Sequence, residues 1–328
     1  MRSMVLEANL SMGSVQDKSM AVRRMAVVMS VYNGAAHFRE QIDNIVDQGL
    51  PAVCSLELYV RDDGSTDETK AILACYAARD KLTNELGPNI GVVASFPCLV
   101  GEILPSIDYF CFADQDDVWH TDKVSRALEV IDSSEIPAPL LYASEYVFCD
   151  AGLNAVSRSQ LNKQSIIFSK LLYENAVSGN AVVFNRPLID LVRRTHVENV
   201  YCHDWRVALL AASADEMLYD RIFYFLDYRR TGSNASATGT GGFSVLKNCL
   251  RRFLKGGELP LVFQQLVALR RDYDDIIRDE CYRVPDRFIE GSRIAKRLGR
   301  TISGELVVRL LFTLGRLGSE ERLCQQFL

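Results

Sequence analysis

The stretch Phe112-Ala113-Asp114-Gln115-Asp116-Asp117-Val118-Trp119 places three carboxylates at the end of the largely apolar segment 107–112. This apolar run has the length of a buried strand, and open α/β sheets bind their ligands at the carboxyl ends of strands. Carboxylates gathered there repel one another unless a cation or a proton lies among them. The stretch therefore predicts a site for Mg²⁺ or Mn²⁺ beside substrate phosphates. A solvated acidic loop that leads into a helix is the alternative.

Strand and helix patterns alternate on the amino-terminal side of this stretch, as is typical of a parallel α/β sheet. The segment Ser65-Thr66 is expected to cap a helix after the second strand. The predicted strands are 25–32, 56–60, 107–112, 140–148, 181–184 and 217–228. The predicted helices cover the periodic residues 38–46 and 72–76 and the segments 92–104, 122–132 and 203–213.

Composition limits the class of protein. The 328 residues carry a net charge of −5, which argues against a nucleic-acid partner. The nine cysteines include no C-x-x-C pair, so reduced thiols and a cytoplasmic location are expected. No signal peptide or membrane-spanning run is recognised. We predict a flexible tail at 1–24, an α/β domain at 25–240, and a basic helical region at 241–328.

The basic region carries two apolar stripes at helical spacing, around residues 262–273 and 306–314, with arginines beside them. Such stripes usually pack on the protein's own core. The alternative is peripheral contact with anionic lipid at the inner face of the plasma membrane.

Three further motifs have both a functional and a structural interpretation. The pair Asp62-Asp63 could bind a base or ribose, or could form an Asx turn before a helix. Asp204, between His203 and Trp205, could be a general base or a favourable charge in a first helical turn. Arg229 could bind a diphosphate with its guanidinium group, or could be a solvated strand end.

Five motifs follow one another along the chain: Val27 to Asn33, Asp62 to Asp67, Asn89-Ile90-Gly91, Asp114 to Trp119, and His203-Asp204-Trp205. In this order they resemble the family 2 glycosyltransferases of the GT-A fold, and most closely a rhamnosyltransferase-like bacterial branch. The resemblance covers residues 25–240, with Thr231 where relatives often carry a histidine.

The resemblance implies an α/β fold with a mostly parallel sheet, and a role for each matched residue. Asp204 would be the catalytic base, with His203 and Trp205 on the acceptor side. Asp116 and Asp114 would hold the metal ion. The nucleotide-sugar site would comprise Ser30, Tyr32, Asn33, Asp62, Asp63, Asn89, Asp114, Gln115 and Arg229.

The expected reaction is inverting transfer of a sugar, such as rhamnose, from a dTDP-, UDP- or GDP-linked donor. The acceptor would be a hydroxyl group of a glycan or lipid-linked glycan in bacterial surface polysaccharide synthesis. Two alternatives stay open: a metal-dependent phosphohydrolase of nucleotide diphosphates, and a catalytically silent protein that binds nucleotide sugars.

Overall fold

A computed structural model provides the structure of the chain. It describes residues 22–102, 105–134, 138–159, 168–171, 175, 177–194, 202–214, 216–231, 268–269, 271–273 and 275–276.

The chain divides into two compact parts, Met1–Gln265 and Leu266–Leu328. The sheet described below belongs to the first part. In the second, the Tyr273 backbone N–H donates to the Leu269 carbonyl at 3.2 Å, as in a helical turn. Most of the predicted tail and nearly all of the basic region lie outside the described residues, so the domain boundaries and the membrane contact stay predictions. Within the described ranges, no helix has the length and apolarity needed to cross a bilayer.

The first four strands form the predicted parallel sheet. They are β1 (Arg23–Val31), β2 (Cys54–Asp62), β3 (Thr83–Leu86) and β4 (Tyr109–Ala113). Strand β1 lies between β2 and β4, and β3 lies outside β2. Residues Met25 to Met29 are almost completely buried, as expected for a strand covered on both faces. The strand order reverses at β1, so the carboxyl ends of β1 and β4 flank a natural ligand crevice.

The remaining strands make the other half of the sheet mixed. They are β5 (Val118–Trp119), β6 (Leu141–Cys149), β7 (Ala155–Arg158), β8 (Val182–Asn185) and β9 (Met217–Arg229). Strand β8 pairs antiparallel with β4 and β6, while β6 and β9 are parallel. The short β5 pairs antiparallel with β9, placing Val118 opposite Asp227. The predicted mostly parallel sheet is therefore parallel in its first half and mixed in its second.

Seven helices occur among the described residues, and five lie near predicted positions. They are α1 (Phe38–Val46), α2 (Thr69–Ala77), α3 (Val92–Glu102), α4 (Lys123–Ser133), α5 (Phe168–Leu171), α6 (Arg186–Val192) and α7 (His203–Ser213). The predicted cap of α2 is wrong: the helix begins after Glu68, without a side-chain cap. The Ser65 hydroxyl instead accepts from the Asn33 N–H at 2.9 Å.

Candidate active site

The acidic stretch lies beside the end of β1, because Met29 is in register with Ala113 of β4. Gln115 joins the two strand ends. Its Oε1 accepts from the Tyr32 backbone N–H at 2.8 Å, and its Nε2 donates to the Tyr32 carbonyl at 3.3 Å. A Cβ atom on Gly34 would lie 2.9 Å from Gln115 Oε1 and 2.8 Å from Val31 Cγ2, so a larger residue there would displace the Gln115 amide. The Gln115 amide is thus engaged with the backbone, and the Tyr32 side chain is exposed beside it.

Asn33 ties the turn after β1 to the loop after β2. Its Oδ1 accepts from the Thr66 backbone N–H at 2.8 Å and from the Thr66 hydroxyl at 3.3 Å. Asn33 adopts φ 48°, a left-handed conformation in which asparagine is enriched. Of the other predicted nucleotide-sugar residues, Asn89 is exposed, and the Ser30 hydroxyl is hydrogen-bonded to that of Ser95 at 2.7 Å.

Asp62 is completely buried at the end of β2. Its Oδ2 accepts from the Ser65 backbone N–H at 3.1 Å, and Gly64 between them has φ 83°. The acceptor and donor are three residues apart, one more than in the Asx turn that the sequence left open, but the contact is of the same local, structural kind. The carboxylate shapes the loop, and its contact with a base stays a prediction.

Asp63 is also buried, and it organises the loop before α3. Its two oxygens accept from the backbone N–H groups of Ile90 and Gly91, each at 2.9 Å. The buried Arg61 guanidinium pairs with it at 2.5 Å and donates to the Pro88 carbonyl at 3.0 Å. Asp63 therefore holds the 88–91 loop against β2, and a direct role in nucleotide binding stays a prediction.

The three carboxylates of the acidic stretch have different surroundings. Asp117 is only 1% exposed, and its oxygens accept from the Arg229 backbone N–H at 3.2 Å and from the Asn180 amide at 2.5 Å. Asp114 Oδ2 accepts from the same amide at 3.2 Å. Among the described residues, the three carboxylates do not bring ligand atoms within 4.8 Å of one another as a group. Asp117 is thus structural, which leaves Asp114 and Asp116 as the candidate metal ligands.

Burial raises the pKa of each of these acids. The pKa of Asp114 rises to about 7, because the charges of Asp116 and Asp204 add to the effect of burial. Burial also raises the pKa of Asp116, against the opposing charges of His37 and Arg229. Excess negative charge on carboxylate oxygens is what Mg²⁺ or Mn²⁺ neutralises. Asp114 and Asp116 therefore fit the predicted ion.

Lys123 is a buried cation beneath the acidic stretch. Its Nζ donates to the Asn180 carbonyl at 2.5 Å and lies 3.3 Å from the centre of the Trp119 ring. Burial lowers the pKa of Lys123 to about 8. Sequence reasoning missed this residue. The signal was its position four and seven residues before Ala127 and Val130, on the buried face of α4.

Asp204 occupies the first turn of α7, where donors surround its carboxylate. Oδ1 accepts from the Asn175 amide at 3.1 Å and from the Cys202 thiol at 2.7 Å. Oδ2 accepts from the Gly179 backbone N–H at 3.1 Å. These hydrogen bonds fix the orientation of the predicted base. The charge of its carboxylate raises the pKa of Asp114, in addition to the larger effect of burial.

His203 and Trp205, which flank Asp204, are packed within the protein. The His203 ring stacks on Phe96 with centroids 4.0 Å apart and meets Phe112 edge-on at 4.8 Å. Burial lowers the pKa of His203. The buried Trp205 donates its indole N–H to the Leu171 carbonyl at 2.5 Å. Their contact with an acceptor stays a prediction.

Cys202, His203 and Asp204 form, within the described residues, one group of three ligand-type side chains whose atoms lie within 4.8 Å of one another. Burial raises the pKa of the Cys202 thiol. The thiol therefore stays protonated and donates a hydrogen bond to Asp204. Cys202 and His203 thus serve hydrogen bonding and packing around Asp204.

The Arg229 side chain braces the acidic stretch. Its Nε donates to the Asp116 carbonyl at 2.9 Å, its Nη1 donates to the Ala151 carbonyl at 3.1 Å, and its Nη2 pairs with Glu40. Only 5% of Arg229 is exposed. Binding of a diphosphate by this guanidinium stays a prediction. Thr231 follows closely, beyond the end of β9, and is half-buried.

Comparison with known proteins relates this arrangement to a family. Residues 26–148, which run from β1 through most of β6, match the family model described as Glycosyl transferase family 2. Residues 26–148 have the sequence of the family 2 glycosyltransferases. This matched region contains the β1 crevice and the acidic stretch. Asn180, Asp204 and Arg229 follow it in the chain.

Curated relatives of the chain include glycosyltransferases. The dTDP-rhamnosyl transferase RfbG of Shigella flexneri is 25% identical over 190 residues, which cover 54% of this chain and 62% of RfbG. An uncharacterized glycosyltransferase of Rickettsia prowazekii is 27% identical over 118 residues, which cover 36% of this chain and 35% of that protein. The chain thus spans less than two thirds of the length of these relatives.

Solved structures confirm the α/β fold of the GT-A type. The S. aureus protein TarS superposes with a TM-score of 0.53 at 15% identity, over 89% of this chain and 92% of the TarS chain. A TarS structure in complex with UDP-GlcNAc gives the same TM-score. At this identity the likeness concerns the fold alone.

Proposed function

We propose that the protein is an inverting glycosyltransferase that transfers a sugar from a nucleotide diphosphate to a hydroxyl group. The observation that carries the proposal is the position of Asp204. Its carboxylate is oriented by donors on both oxygens and is close enough to Asp114 for its charge to act there. A base for the acceptor and carboxylates for the metal-bound diphosphate are what such a transfer needs.

We propose dTDP-rhamnose as the first donor to test. The support is the likeness to RfbG, which is named as a dTDP-rhamnosyl transferase. UDP- and GDP-linked sugars are the other candidates, and the fold is also that of TarS, which has been solved with UDP-GlcNAc. We propose a glycan or lipid-linked glycan as the acceptor.

In the proposed reaction, the acceptor oxygen attacks the anomeric carbon from the face opposite the diphosphate. The new bond forms as the bond from that carbon to the diphosphate oxygen breaks, and Asp204 takes the acceptor proton. Asp116 and Asp114 would hold Mg²⁺ or Mn²⁺, which when bound neutralises the charge of the leaving diphosphate. Arg229 donates to the Asp116 backbone carbonyl and so holds the backbone segment that carries this carboxylate.

The test uses sugar-labelled dTDP-rhamnose, UDP-GlcNAc and GDP-mannose, with Mn²⁺ and membranes of the source organism as acceptor. The proposal predicts label in a glycan or glycolipid with one donor, and product mass spectrometry identifies it. Free sugar or sugar phosphate in place of this product would indicate a hydrolase. Binding of the donor without turnover would indicate a silent binding protein.

A further inference from the structure

A short turn before β8 contacts both sides of the candidate active site. It consists of Ser178, Gly179 and Asn180, and we call it the bridging turn. Gly179 and Asn180 begin a 3-10 helix that leads directly into β8. Asn180 is 1% exposed, so its amide lies inside the protein.

Gly179 forms the contact with Asp204, on the side of the site where the sugar acceptor would bind. Its backbone N–H donates to Asp204 Oδ2 at 3.1 Å. A Cβ atom at Gly179 would lie 3.0 Å from Asp204 Cβ and 3.3 Å from His203 Nε2. These distances are tight, so a Cβ atom at Gly179 would push Asp204 or His203 away by a few tenths of an ångström.

Asn180 forms the contact with the acidic stretch, on the side of the site where the nucleotide sugar would bind. Its Nδ2 donates to Asp114 at 3.2 Å and to Asp117 at 2.5 Å, which uses both amide protons. The Ser178 hydroxyl donates to Asn180 Oδ1 at 2.7 Å, and Lys123 donates to the Asn180 carbonyl. The two carboxylates favour this orientation of the amide, because the opposite one would place an oxygen against both acids, and the Ser178 hydroxyl completes it by donating to Oδ1.

We propose that the bridging turn is the positioning element of the active site, with Gly179 setting Asp204 and Asn180 setting Asp114. This inference rests on the proposed function. Two adjacent residues of one turn thus contact the base and a metal-side carboxylate, which couples the positions of these two groups. Transfer requires the reacting groups to be placed to within a fraction of an ångström.

The kinetic test compares two variants of the bridging turn in transfer from dTDP-rhamnose. Gly179→Ala should lower kcat about 10- to 100-fold with a donor KM within about twofold, because it displaces the base. Asn180→Ala should raise the donor KM and the Mn²⁺ concentration for half-maximal rate at least about fivefold. Ser178→Ala should act in the same direction as Asn180→Ala, but more weakly.

A purely structural turn would not separate kcat from KM in this way. The matched control is Asn185→Ala. Asn185 is also buried, but it caps α6 and binds the Leu140 N–H, away from the acids. It should lower the melting temperature and leave KM and the Mn²⁺ requirement unchanged. Equal kcat and KM effects in both turn variants, or a control that reproduces the Asn180→Ala shift, would overturn the inference.

A second measurement separates this inference from the proposed function. Electron paramagnetic resonance follows Mn²⁺ binding without a donor, and Asn180→Ala should bind Mn²⁺ at least about fivefold more weakly than the wild type. Gly179→Ala and Asn185→Ala should bind it normally. Unchanged binding in Asn180→Ala, or no Mn²⁺ binding by the wild type, would overturn the inference. A wild type that binds Mn²⁺ as predicted but transfers no sugar would overturn only the proposed function.

Discussion

At the residue scale, Asp114 makes the stability of the metal-free protein depend on pH. The pKa of this carboxyl is about 7 in the folded protein, against about 3.9 in an unfolded chain. The folded state therefore keeps a proton that the unfolded state releases. The stabilisation is fully present below about pH 4 and is lost as pH rises towards and through 7. We expect the free energy of unfolding to fall by roughly 2 kcal/mol between pH 5 and 8.

The measurement is denaturant unfolding in EDTA across this pH range, with Asp114→Asn as the comparison. The variant lacks this titrating group, so its curve should be flatter than that of the wild type. Parallel curves for the two proteins would show that Asp114 has an ordinary pKa.

Asp116 is the residue on which binding of the ion and donor should depend most. Asp116→Ala removes a carboxylate ligand, and we expect Mn²⁺-dependent binding of dTDP to weaken by at least about tenfold, as for other lost metal-site contacts. Calorimetry with and without Mn²⁺ measures this directly. The control is Asp132→Ala, which breaks an ion pair with Arg23. Arg23 begins β1, whereas the crevice lies at the carboxyl end of that strand. Equal Mn²⁺-dependent binding in Asp116→Ala and the control would refute the metal role.

At the scale of elements, the loop after β2 depends on a glycine. Gly64 adopts φ 83°, and a Cβ atom there would lie 2.8 Å from the Asn89 backbone nitrogen. Gly64→Ala should therefore destabilise the protein by about 2 kcal/mol. Gly101→Ala is the matched control, because its Cβ would enter open space near the end of α3, and it should stabilise by up to about 1 kcal/mol. Thermal unfolding distinguishes them, and similar melting temperatures would contradict the strain at Gly64.

Elements with a local signal could be predicted from the sequence, whereas elements fixed by distant contacts could not. The periodic apolar residues of α1 and the continuous apolar run of β1 define their own positions. Strand β5 has only two residues, and it exists because Asp227 and Leu226 of β9 pair with it. The α2 cap was mispredicted because Ser65 is held by Asn33, a residue from another loop.

At the scale of the whole molecule, Arg229 connects segments that are far apart in sequence. It joins Glu40 of α1, the Asp116 backbone and Ala151 of the turn after β6. Arg229→Lys keeps the charge but loses the planar set of donors, and it should cost about 2 kcal/mol of stability. Arg79→Lys, at an exposed site, should be neutral. Amide hydrogen exchange tests the role of Arg229. The acidic stretch should exchange faster in Arg229→Lys than in the wild type, and at the wild-type rate in Arg79→Lys. Equal protection in both variants would contradict the bracing role.

The candidate site shows the same limit on sequence reasoning. Asp114, Asp116 and Asp204 are carried by short motifs that follow a strand or open a helix, so they could be proposed from the sequence. Asn180 and Lys123 have no motif of their own. Asn180 meets the acids because β8, which follows it, pairs with β4. Lys123 reaches the Asn180 carbonyl from the start of α4.

The most direct test of the account is the turnover of Asp204→Asn. We expect transfer from dTDP-rhamnose to slow by about 10²- to 10⁴-fold, because the amide cannot take the acceptor proton. Binding of dTDP with Mn²⁺ should stay within about twofold of the wild type, and Asp132→Asn should transfer normally. An Asp204→Asn variant that keeps most of its transfer activity would contradict the central claim that Asp204 is the catalytic base.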